Sequence, residues 1–107
     1  KFQINTANYP GCSLFLEAVY RAGVGGTQTV RTLSMELYDL TGGTIVTNST
    51  ISGTEQAGSS PGAYPRLRGT TNFLSNLGTG NRDCVLRYKS DSANFVDLYE
   101  GRLIIQY

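Results

Sequence analysis

The chain has 107 residues, 39% apolar and 16% charged, with nine Lys and Arg against eight Asp and Glu, no His and no Trp. A domain near this length hides roughly 60–70% of the surface its unfolded chain exposes, enough for one modest core, so a single domain over residues 1–107 is expected and a multidomain enzyme is excluded. The formal charge of +1 gives no broad field for neutralising phosphates, which argues against a nucleic-acid partner, and the absence of His removes the commonest general base and metal ligand.

Along the chain, Phe2 to Thr6 (FQINT) suits a short strand, tied into a sheet or added to a neighbour. Ser13 to Ala22 alternates, with Leu14, Leu16, Ala18, Tyr20 and Ala22 on one face and Phe15, Glu17, Val19 and Arg21 on the other, which is a strand. Past Gly23 to Gly26, Thr29 to Leu40 alternates again through Leu33, Met35 and Leu37. The glycine-rich turn before it and Thr41-Gly42-Gly43 after it favour hairpin connections over a helix. Thr44 to Ser52, with Ile45 and Ile51 on one face, reads as a half-buried strand near an edge. Gly53 to Ala63 (GTEQAGSSPGA) reads as a surface loop.

Tyr64 to Leu74 carries Leu67, Phe73 and Leu74 among Arg66 and Arg68, and Ser75 to Asn81 is a turn. Cys84, Leu86 and Tyr88 alternate with Asp83, Val85, Arg87 and Lys89 in the next strand, and Ser90 to Asn94 is a polar turn. Phe95 to Tyr107 then runs to the end with Gly101 as its one breaker, so one long strand bent at Gly101, or two short ones, is expected. Seven or eight strands at this spacing give the pattern of an all-β, antiparallel sandwich or barrel.

Little in this chain supports catalysis. A Ser or Cys nucleophile needs a base, and neither Lys1 nor Lys89 stands in a Ser-x-x-Lys spacing. Two of Glu17, Glu36, Asp39, Asp97 and Glu100 could form a glycosidase pair, but a small sandwich offers no deep cleft for them. No metal site and no cofactor are expected. A loop calcium ion on Asp91, Asn94 and Asp97, or on Asp39 with Thr41, is the alternative to reading these residues as turn formers.

Cys12 and Cys84 are the only cysteines. They lack the spacing and partners of a reactive or metal-binding thiol. That leaves two buried thiols or a disulfide, and the disulfide is the leading expectation, because closing so long a loop would contribute about 4 kcal/mol. It implies an oxidising compartment: an extracellular, secreted or virion-surface protein. The triplet Asn48-Ser49-Thr50 is a glycosylation sequon, which sets Asn48 at the surface. The longest wholly apolar run near either end is Leu103 to Ile105, far short of the roughly 20 residues of a membrane span, so no membrane insertion is expected.

Two groups of side chains are candidates for contact. Tyr9, Tyr64 and Tyr99 fall beside turns or polar residues, where a ring could stack on a sugar or anchor a partner. Arg66 and Arg68 share a strand face, as do Arg87 and Lys89. The four would form an anion-binding patch if their strands were neighbours, or else pair across strands with Glu17, Glu36 or Glu100.

The pieces SLFLEAVYRA (Ser13 to Ala22), MELYDLTGGTIV (Met35 to Val46) and Arg82 to Tyr107, closing with YEGRLIIQY, together resemble small jelly-roll modules of secreted and virion proteins, such as carbohydrate-binding modules, fibre heads and capsid decorations. The resemblance implies a sandwich without catalytic machinery, used for glycan binding, adhesion or assembly. Two functions follow as expectations: an extracellular recognition module for a glycan or surface protein, or a self-assembling protomer of a virion or extracellular filament whose edge strands pair with copies of itself.

Overall fold

A computed structural model describes residues 1–22, 30–56, 66–90 and 96–107. They form eight strands: β1 (Phe2–Ile4), β2 (Ser13–Ala22), β3 (Val30–Asp39), β4 (Thr44–Ile45), β5 (Ile51–Gln56), β6 (Arg66–Arg68), β7 (Arg82–Ser90) and β8 (Val96–Gln106). One sheet runs β1-β7-β3, with β5 and β4 sharing the far edge of β3; the other runs β6-β2-β8, and every pair is antiparallel. The all-β antiparallel sandwich read from the sequence is therefore the fold.

The period of two builds the interior. Leu14, Leu16, Ala18 and Tyr20 of β2 face Leu33, Met35 and Leu37 of β3 across the layer, all buried. Phe73 and Val46, from the loops, complete the same cluster. Such a layer explains why β2 and β3, expected to be joined as a hairpin, lie in opposite sheets instead. Each has a continuous apolar face, and facing one another buries both, whereas pairing edge to edge would leave both needing further cover. The β3–β4 connection is a true hairpin, with Tyr38 opposite Ile45 and Asp39 opposite Thr44 around a turn in which Gly43 takes φ 68°.

Three element boundaries differ from the sequence reading. The strand expected over Thr44 to Ser52 is broken at an exposed turn in which Asn48 adopts φ 68°. The segment read as loop from Gly53 onward begins as strand, since β5 continues to Gln56. Gly53 is there because a Cβ would lie 2.7 Å from the Tyr20 hydroxyl, which donates to the Thr54 carbonyl. β8 is one strand, and its irregularity falls at Tyr99 rather than Gly101: Val19 faces Glu100 and Tyr20 faces Leu98, leaving Tyr99 as the extra residue of a bulge.

Candidate functional site

The two lateral margins of the sandwich are built differently. On the first, β5 lies against β6, and these short strands and their flanking loops cover most of the described edges of β2 and β3. β6 pairs with Glu17–Val19 of β2, and the loop after it continues the cover: Gly69 N–H donates to the Leu16 carbonyl (2.8 Å), Phe73 N–H to the Leu14 carbonyl (3.2 Å), and Leu14 N–H to Asn72 Oδ1 (2.8 Å). In the other sheet β5 covers Val30–Met35 of β3 and β4 covers Tyr38–Asp39. The gap at Leu37 is filled by the buried Ser49, whose Oγ accepts from Leu37 N–H (3.0 Å) and donates to its carbonyl (3.4 Å), joined there by Val46 N–H (2.9 Å). A serine hydroxyl here does the work of a strand neighbour.

On the opposite margin β7 lies against β8, and both edges stand open among the described residues. β1 covers β7 only at Arg82–Cys84, leaving Val85–Ser90 without a described neighbour there. β8 pairs with β2 along its whole length on one side and with no described strand on the other. Inner-face side chains record the same opening. Leu86, Leu103 and Ile105 pack on the core but stay partly exposed. Tyr88, opposite the buried Met35 and so on the inner face of β7, is 57% exposed, whereas Cys84 on the same face of the same strand is 0% exposed.

The residues singled out from the sequence do not meet at one place. Tyr9 packs half-buried against the core. Tyr64 lies outside the described residues, and Tyr99 is the bulge residue of β8, its side chain outside them too. Arg66 pairs with Glu17 (2.9 Å), a carboxylate only 5% exposed, and Arg102 approaches the same oxygen (3.9 Å). Arg68 donates to Gln106 and lies over the Phe15 ring at 5.7 Å. Arg87 pairs with Glu36 and stacks on Tyr38 at 3.9 Å. Because β6 and β7 belong to different sheets, the four-cation patch does not form, and the pairing alternative describes Arg66 and Arg87.

The disulfide is a correction: Cys12 and Cys84 are both buried and free. Loop-closure entropy measures what a bond would contribute once made, not whether two side chains meet. Here each cysteine serves as a small apolar side chain, Cys12 beside the Pro10 carbonyl and Cys84 inside β7. Burial, reinforced by the carboxylates of Asp39 and Asp83, pushes the Cys84 thiol up to about 11, which keeps it protonated and unreactive at neutral pH. For calcium, Asp39 already accepts from Gly42 N–H and Arg82, and Thr41 Oγ1 from Asp83 N–H. Asp91 and Asn94 lie outside the described residues.

A shallow groove of about 250 Å³ sits at the closed margin, with Asn48, Thr50, Ser52, Arg68, Thr70 and Thr71 in its walls. The C-terminal run has no Pro and no Lys between Val96 and Gln106, but Asp97, Glu100, Arg102 and the bulge at Tyr99 are devices of the kind that blunt sheet edges, so only Leu103–Gln106 is free of them. Comparison of the chain with protein-family models, with curated proteins and with solved structures found no match.

Proposed function

We propose that this chain is a non-catalytic β-sandwich module with a structural role, a protomer that assembles through the open margin at β7 and β8. The observation that carries this reading is the outer edge of β8, an 11-residue strand with no described neighbour, whereas the long strands β2 and β3 are largely covered by short strands and loops at the other margin. A row of unpaired N–H and C=O groups beside half-covered apolar side chains is a template for another strand. The free thiols remove the sequence argument for an oxidising compartment, so the assembly reading stands on the edge alone. Its test is light scattering of the purified chain at rising concentration. Growth from 11.6 kDa to a dimer or polymer supports it, and a monomer throughout the range overturns it.

The groove at the closed margin favours a second reading, recognition of a neutral glycan through hydroxyl and amide hydrogen bonds rather than through an aromatic platform. A glycan array followed by Thr70→Ala and Thr71→Ala tests it: a confirmed ligand whose binding neither change alters excludes this groove as the site.

A further inference from the structure

Resting on the assembly reading, we infer that the occupant of the β8 edge is a second copy of this chain, paired antiparallel about a two-fold axis at Leu103, so that β6-β2-β8 continues through the copy as one sheet. A two-fold contact uses the same patch twice, so its register is fixed by which residues of β8 can stand opposite one another. The bulge at Tyr99 interrupts the strand, and Glu100–Gln106 is the regular stretch, each residue opposite one of Ser13–Val19. Within it Gly101, Leu103 and Ile105 share the inner face with Leu14, Leu16 and Ala18, while Glu100, Arg102, Ile104 and Gln106 lie on the outer face.

Residues directly opposite in an antiparallel pair share a face, so the axis must pass at a residue and not between two. An axis at Arg102 sets two arginines directly opposite, which is unfavourable. An axis at Gly101 brings Glu100 opposite Arg102 but sets the bulged Tyr99 against Leu103 and keeps only three regular pairs. An axis at Ile104 retains five. The axis at Leu103 uses all seven: Glu100 opposite Gln106, Gly101 opposite Ile105, Arg102 opposite Ile104 and Leu103 opposite itself. No like charges face each other. Leu103 and Ile105, half-covered in the single chain, receive apolar neighbours from the copy.

Placing Arg102 opposite Ile104 gives a charge-sign test, because Ile104 is an outer-face residue whose replacement leaves the core intact. The dimer dissociation constants of the wild type, Ile104→Lys and Ile104→Glu are measured by light scattering or sedimentation, with far-UV circular dichroism to show that each variant folds. Arg102 is paired with Glu100 of its own chain and lies near Glu17, so Ile104→Lys, which stands opposite Arg102 of the second copy twice over, weakens the dimer a few-fold. Ile104→Glu faces the same arginine and holds the dimer at least as tightly as the wild type. Equal weakening by both charges points to an axis at Ile104 and overturns the register; no dependence on the charge does so too, in favour of Gly101 or another surface. In either case the assembly reading survives, because the wild type still associates. A wild type that stays monomeric overturns both.

Discussion

The two margins of this sandwich answer one problem in opposite ways. At the β5/β6 margin the chain closes β2 and β3 with short strands, a side-chain hydroxyl and a side-chain amide, so that Leu14, Leu16 and Leu37 have backbone partners on both sides. At the β7/β8 margin it runs two of its longest strands side by side and covers only the first three residues of β7. Edge closure in this molecule needs few residues, as Ser49 and Asn72 show, so the open margin is not imposed by the size of the domain. The side chains of the long strands follow the backbone: Leu14, Leu16 and Leu37 are fully buried, whereas Leu86, Leu103 and Ile105 are partly exposed.

The largest expected difference between the margins lies in one residue pair. Leu16 and Leu103 stand directly opposite each other in the β2–β8 ladder and point to the same interior, yet Leu16 is fully buried and Leu103 is not. Leu16→Ala is expected to cost about 2–5 kcal/mol, and Leu103→Ala roughly half as much, measured by urea unfolding at a concentration where the chain is monomeric. Equal costs would break the comparison, because the two margins would then be equally packed.

A smaller effect sharpens the closed side. Ser49→Ala removes the group that satisfies Leu37 N–H within the interior, and the loss is expected to be about 1–3 kcal/mol. Ser52→Ala, an exposed neighbour on β5, should change stability by no more than about 0.5 kcal/mol. The same unfolding measurement ranks them, and a Ser49→Ala variant as stable as Ser52→Ala would mean that the hydroxyl does not close the edge.

Cys84 gives a contrast within one strand, since it lies where β1 covers β7 while Tyr88 lies beyond that cover. Its folded-state pKa near 11 stands above its ordinary value near 9. The stabilising contribution is therefore present below about pH 9 and lost as pH rises from there through 11. The stability difference between wild type and Cys84→Ala should narrow over that window. A difference that stays constant would mean that the thiol is not held in a dry site.

How much of this was legible in the sequence depended on the range of the interactions. β2, β3, β7 and β8 are readable because alternation is local and each carries three or more apolar residues in one phase. β5 is legible only at Ile51 and Ser52, because Gly53 and Thr54 look like loop, and only the Tyr20 side chain from the other sheet explains the glycine. Ser49 carries no signal at all, since its role exists only once Leu37 lies beside it. The disulfide was inferred from what a bond would be worth, a quantity that holds no information about geometry. The tyrosines and arginines proposed for contact were chosen by type, whereas the open margin is defined by backbone groups that every residue has.

Those backbone groups supply the finest test. In an antiparallel pair the N–H groups of one strand point alternately toward its neighbour and away from it. β2 has partners on both sides, so its amides at Leu14, Phe15 and Glu17 to Val19 should exchange slowly with solvent deuterium. β8 has one described neighbour, so alternate amides over Glu100–Gln106 should exchange quickly in dilute solution. Raising the concentration should slow that fast set alone, and Ile104→Lys should restore it, while the slow set keeps its rate. Asn72→Ala should make the complementary change at the other margin, releasing the Leu14 amide and no amide of β8. Uniformly slow exchange along β8 in dilute solution would mean that its outer edge is already covered within a single chain, and the two margins would then be alike.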